Sequence, residues 1–183
     1  MKRVIIVGSA GSPTRVIELL KLGEPLRFPV VLCIHLTSTV IETFAEHITR
    51  ETQISNVVVK SPTRLINVIH LPAGGKDIVF LTRDLVTVKE GSGKIHPSIS
   101  TLFLSLKKVA DENFIIIVLG GLGDDGKSEA KTLSKKKVRF LIQEDAEFPY
   151  LPRNIQQELG NRSELRPFHE IKSILKSLNR DAC

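Results

Sequence analysis

The chain has 183 residues, 42% of them hydrophobic and 25% charged, with a formal net charge of +6. That length suits one domain over 1–183, able to bury roughly two-thirds of its unfolded surface, and the composition excludes global disorder. The basic balance favours acidic partners, while one Tyr and no Trp argue against a stacking platform for nucleic acid.

The two cysteines do not form a disulfide scaffold. Cys33 lies inside the apolar run Pro29 to Ile34 and reads as a buried small hydrophobe, and Cys183 as a fraying last residue. A reducing, cytoplasmic compartment is expected. Val4 to Val7 is too short an apolar run for a signal peptide, and no stretch approaches the ~18 apolar residues that insert in a bilayer.

Along the chain, apolar runs alternate with amphipathic segments. Val4 to Val7 reads as a buried strand. Ser12 and Pro13 read as N-cap and first residue of a helix to about Leu22, stopped by Gly23. Pro29 to Ile34 is a second buried strand, and Thr39 with Glu42 reads as a capping box for a helix to about Arg50. Asn56 to Lys60 is a third strand. Asn67 to Leu71, Ile78 to Leu81 and Leu85 to Lys89 are short, β-branched and separated by turn residues, and they read as extended or hairpin strands attached to the main sheet.

Ser98 caps a helix over about Ile99 to Asp111. Phe114 to Leu119 reads as a strand covered on both faces. A helix from about Gly126 to Lys136, a strand Val138 to Ile142, and helices near Pro152 to Leu159 and Phe168 to Leu178 complete the chain. The alternation predicts an α/β fold: a doubly wound, mostly parallel Rossmann-like sheet with helices on both faces and an inserted β-hairpin region.

In such sheets ligands bind beyond the carboxyl ends of the strands. Three segments lie there: Gly8-Ser9-Ala10-Gly11-Ser12-Pro13, His35, and Gly120-Gly121-Leu122-Gly123-Asp124-Asp125-Gly126. Serine, histidine and aspartate on one sheet edge are the makings of a nucleophile, a base and an orienting acid. A serine hydroxyl needs a base to take its proton, a histidine titrates in the right range, and a carboxylate holds the imidazole tautomer. Glycine-rich turns let backbone amides approach an oxyanion. Singly, each residue is as readily a turn former, a cap or a structural histidine.

At these residues the sequence resembles the catalytic domain of the chemotaxis protein-glutamate methylesterases. The family's Gly-Ala-Ser-Thr-Gly-Gly-Pro is matched by Val7 to Pro13, and anchoring on Pro13 places Ser9 on the nucleophile. Anchoring on Gly8 instead places Ala10 there. The family's Gln-His-Met is matched by Ile34-His35-Leu36, its Ala-Pro-Gly-Gly by Pro72-Ala73-Gly74-Gly75, and its Thr-Gly-Met-Gly-x-Asp-Gly by Gly120 to Gly126, with Asp125 on the acid. Phe44-Ala45-Glu46, His96-Pro97-Ser98, Leu102-Phe103, Gln143 to Ala146 and Leu151-Pro152-Arg153 follow in order, so the likeness is collinear from about Val4 to Gly160.

The resemblance implies hydrolysis of γ-glutamyl methyl esters, and glutamine deamidation, on the cytoplasmic region of chemoreceptors. It implies Ser9, His35 and Asp125 as catalytic residues, Ala10, Gly11, Leu122 and Gly123 around the oxyanion and substrate, and no cofactor or metal. Ala10, Ile34 and Ser100 depart from the family's Thr, Gln and Asp. The family's N-terminal receiver domain is expected to be absent or cut away, because Met1 opens directly on the first strand.

Two rivals come from other classes. Gly121 to Ser128 matches G-x-x-x-x-G-K-S, a P-loop, although Asp124 and Asp125 would stand inside a phosphate cradle. A non-catalytic methylesterase-like protein that binds an acidic partner is the other. Gly8-x-x-Gly11 is too short for a dinucleotide fingerprint. His47, His70 and His169 are expected to be structural or solvated on element surfaces, His96 is a cleft candidate without a role, and Lys135 to Lys137 complement a helix dipole.

Overall fold

The structure, a computed structural model, describes residues 1–91, 93 and 95–182. Cys183 lies outside the described residues. Seven strands form one sheet: β1 (Arg3–Gly8), β2 (Val30–Ile34), β3 (Asn56–Val59), β5 (Ile69–Pro72), β8 (Phe114–Val118), β9 (Arg139–Gln143) and β10 (Glu164–Arg166). Their spatial order is β10-β9-β8-β1-β2-β5-β3, and each adjacent pair runs parallel.

The apolar runs become the central strands because both faces are covered. Every residue of β1, β2 and β8 is buried. Val4, Ile6, Leu32 and Ile117 point to one face, with α1 (Ser12–Leu20), α2 (Ile41–Thr52) and α6 (Phe168–Asp181). Ile5, Val7, Val31 and Ile116 point to the other, with α3 (Ile99–Leu106), α4 (Lys127–Ser134) and α5 (Tyr150–Leu159). The doubly wound expectation holds.

Ile69–Pro72 is buried throughout and pairs with both β2 and β3, an extended strand of the main sheet. The expectation for the next two strands needs correction. The hairpin β6 (Lys76–Thr82) and β7 (Leu85–Glu90) is not attached to that sheet. It joins β4 (Thr63–Arg64) in a separate antiparallel sheet. Ile78, Phe80 and Val86 bury one side of this sheet with Leu102, Phe103 and Leu106 of α3, and Ser105 Oγ accepts the Phe80 amide.

Several helix ends differ from expectation. Gly11, in the left-handed region at φ 80°, is the N-cap of α1, not Ser12. The Ser12 hydroxyl instead accepts the Ser9 amide and donates to the Gly120 carbonyl. A 3-10 turn over Ser38–Val40 replaces the Thr39–Glu42 capping box. Helix α3 stops at Leu106, whereas α6 continues to Asp181. His70 is not at a surface: it is fully buried, Nδ1 facing the Val30 carbonyl at 3.2 Å. Burial pulls its pKa down, against the hydrogen bonds to Val30 and Val68. Cys33 is buried as expected, and burial pushes its thiol up.

Candidate active site

Strand order reverses at β1: the chain runs out through β2 on one side and returns through β8, β9 and β10 on the other. The crevice beyond the carboxyl ends of β1 and β8 is therefore the topological switch point. Ser9 follows β1, His35 follows β2, and the Gly120–Gly126 loop follows β8. Because Gly8 and Ile34 are register partners and the His35 amide donates to the Gly8 carbonyl at 3.1 Å, Ser9 and His35 leave neighbouring strands side by side.

His35 Nε2 lies 2.8 Å from Asp125 Oδ2, with both side chains largely buried. The same carboxylate receives two amides from the start of α3, Ile99 N–H on Oδ2 at 2.7 Å and Ser100 N–H on Oδ1 at 2.9 Å. Helix N-termini favour negative charge, and these two donors would otherwise lack partners. Burial alone would raise the Asp125 carboxyl. The hydrogen bonds from His35, Ile99 and Ser100 outweigh it and hold the group below the usual carboxylate range. An ionised acceptor at Nε2 fixes the N–H there and leaves Nδ1 with its lone pair.

Ser9 is held by its backbone: its amide donates to the Gly120 carbonyl at 2.9 Å and to Ser12 Oγ at 3.1 Å. Among the described residues, neither the Ser9 hydroxyl nor His35 Nδ1 is engaged in a hydrogen bond. The fold thus joins His35 to Asp125 and sets Ser9 on the next strand without closing the serine–histidine contact. Close approach at this corner needs glycine. A Cβ on Gly121 would fall 2.5 Å from Ser9 Cβ, and one on Gly8 2.3 Å from Ser12 Oγ. Gly121→Ala is expected to displace Ser9, lowering any Ser9-dependent turnover at least about tenfold and lowering the melting temperature as well, because the Cβ also meets the Ser9 backbone nitrogen at 2.9 Å and Leu151 at 3.1 Å; steady-state kinetics beside a thermal melt checks this.

A cleft of about 660 Å³ opens at His35 and Asp125, walled by Ile95, Ser98, Leu122 and Lys127 among others. Leu122 is half exposed, and Gly123 sits in the left-handed region at φ 82°. Ala10 and Gly11 instead line a small crevice with Gln143 and Phe148, away from His35. Ala10 lines that crevice, while Ser9 stands beside Gly121 at the end of β1. The amides of Ala10 and Leu122 are not taken up by hydrogen bonds among the described residues.

The P-loop segment builds a different device. Lys127 and Ser128 open α4 and face the cleft, but Asp125 in the same loop is committed to His35 and α3. Three participants were not anticipated from sequence. Ser12 braces the Ser9 turn. Ser100 Oγ accepts the Gly126 amide and donates to Glu129. Asp77 accepts the Ser98 amide at 2.7 Å. His47 is partly exposed and His169 exposed, as expected.

A doubly wound parallel sheet with a serine and a pinned histidine–aspartate pair at its switch point has the layout of an α/β serine hydrolase. Residues 4–175 match the family model described as CheB methylesterase. The chain belongs to the CheB methylesterase family. It is 27% identical over 141 residues, 74% of its length, to a protein-glutamate methylesterase/protein-glutamine glutaminase of Saccharophagus degradans, and 25% identical over 79% of its length to one of Chromobacterium violaceum. It spans 39% and 42% of those two relatives' lengths. Its fold matches the CheB methylesterase catalytic domain of Thermotoga maritima with a TM-score of 0.82 at 14% identity, covering 97% of this chain and 98% of that one. No helix among the described residues is long and apolar enough to cross a membrane.

Proposed function

We propose that the chain is a protein-glutamate methylesterase-type serine hydrolase acting as a single domain in the cytoplasm. Its substrates are γ-glutamyl methyl esters, and by the same chemistry glutamine amides, on the cytoplasmic region of chemoreceptors. The observation that carries this reading is the 2.8 Å contact between His35 Nε2 and an Asp125 carboxylate pinned by two α3 amides, on the strand beside Ser9.

In this reading Ser9 Oγ attacks the ester carbonyl carbon as His35 Nδ1 takes its proton. The negative charge on the carbonyl oxygen is met by the free amides of Ala10 and Leu122, each such donor being worth roughly 3 kcal/mol. The tetrahedral species expels methoxide, which takes the proton from His35 and leaves as methanol. Water, deprotonated by His35, then cleaves the glutamyl–Ser9 ester. Asp125 stabilises the imidazolium in both halves. The triad template usually pairs aspartate with Nδ1; here the aspartate holds Nε2, so Nδ1 is the working nitrogen.

The net charge of +6 supports an acidic protein substrate. The test is incubation with a methylated chemoreceptor cytoplasmic fragment. Methanol release with a matching gain of unesterified glutamyl carboxylate on the receptor fragment is the expected result; intact esters after prolonged incubation with folded protein would reject the reading.

A further inference from the structure

Beside the His35–Asp125 pair stands a second histidine–aspartate pair. Asp77, the second residue of β6, is 1% exposed, and its Oδ1 lies 3.4 Å from His96 Nδ1 and accepts the Ser98 amide at 2.7 Å. Its Oδ2 is buried with no hydrogen-bond partner among the described residues. His96 packs against Gly91, where a Cβ would collide with the imidazole ring, and its carbonyl accepts the amide of Leu36, next to His35.

The two pairs meet on one helix end. Along the start of α3, the Ser98 amide goes to Asp77, the Ile99 and Ser100 amides go to Asp125, and the Thr101 amide goes to Ser98 Oγ. The donors of that end are thus divided between two carboxylates, each holding an imidazole. Neither carboxylate can change its charge or position without altering the dipole and hydrogen bonding that the other relies on.

We propose that Asp77 and His96 are positioning residues for the His35–Asp125 pair, acting through the α3 N-terminus that both carboxylates share. This rests on His35 being the general base of the proposed hydrolysis, although the coupling itself can be read without any turnover. Asp77 is faced by His96, by the Cys33 thiol of β2, by the Ser98 amide, and in the β6–β7 register by Lys89. His35 is faced by Asp125, with Asp124, Lys127 and Glu158 on the same cleft. Cys33 is buried and its thiol is pushed up by burial first, then by Asp125 and Asp77, so it stays neutral between the two carboxylates.

The sign of the coupling follows from charge. Removing the Asp77 negative charge makes a nearby imidazolium less favourable, so His35 deprotonates at lower pH. His96→Gln takes away the imidazole that partners Asp77, so the share of the carboxylate's field that the ring offsets is restored toward His35, and His35 deprotonates at higher pH. A mere loosening of the fold would not give opposite signs from the two sides of one pair.

The experiment is an NMR titration of the histidine rings in the full chain, with His35 assigned by loss of its signal in His35→Gln. Asp77→Asn is expected to lower the His35 midpoint by on the order of half a pH unit, and His96→Gln to raise it by a smaller step. No shift in either variant, or shifts of the same sign, would overturn the proposal. If Asp77→Asn does not fold, His96→Gln decides alone, a rise supporting the proposal and an unmoved midpoint overturning it. Failure of the methylesterase reading would show instead as absent methanol release with this coupling intact.

Discussion

Ser9→Ala is expected to lower ester turnover by on the order of 10⁶ where a full triad operates, while leaving the fold and melting temperature nearly unchanged. The change deletes one oxygen from a half-buried side chain whose hydroxyl makes no hydrogen bond to the described residues. The bonds that shape the turn are made by the Ser9 backbone and by the Ser12 hydroxyl, and these survive. Without Oγ, His35 has no proton to accept and no acyl intermediate forms. The comparison to make is methanol release against a thermal melt for the same preparation. Retained turnover would remove the nucleophile assignment, and binding to an acidic partner that outlives the loss of Oγ would favour the non-catalytic alternative.

Asp125→Asn is expected to cost both activity and stability. An amide cannot stabilise the imidazolium and no longer fixes the N–H on Nε2, so turnover should fall by on the order of 10⁴. Both Asp125 oxygens also accept α3 amides. An asparagine turns one acceptor into an NH₂ facing a donor, a mismatch worth about 1–3 kcal/mol when buried. The acid behaviour has a definite sign. The folded state holds Asp125 below the ordinary carboxylate value, so its contribution is present above that value and is lost as pH falls through the folded pKa. The wild-type melting temperature should therefore drop more steeply than that of Asp125→Asn through this acid range, which a melt series across pH measures. Parallel curves would mean that Asp125 is not held ionised by its partners.

Much of the scaffold was legible because the strands that matter are hydrophobic on both faces. Phe114 to Val118 and Val30 to Ile34 admit little other reading, and residues at their carboxyl ends are automatically at the sheet edge. That rule and the family pattern selected Ser9, His35 and Asp125. Less was legible where pairing is decided at long range. Ile69–Pro72 reads by composition as an extended or hairpin strand, and its place between β2 and β3 is set by the cover that both of its faces find there. β4 and β10, of two and three residues, have no periodicity to read.

The residues that brace Ser9, His35 and Asp125 were hidden for a different reason. Ser12 looks like a helix cap, but the left-handed Gly11 takes that position and frees the hydroxyl to bridge Ser9 and Gly120. Asp77 stands just before Ile78 to Leu81, which reads only as a short strand, and only the packing of β6 on α3 brings it under Ser98. His96 was a cleft candidate by its neighbours in sequence; its partner lies nineteen positions earlier and had no local signal.

The central claim is that the Ser9 hydroxyl is activated by His35 at the rim of the sheet. Reaction of the native chain with a fluorophosphonate, followed by mass spectrometry of the peptides, tests it most directly. A phosphonyl group on Ser9 is the expected product, formed rapidly in the wild type and lost in His35→Gln. A label on any other serine, or no label on folded protein, would contradict it.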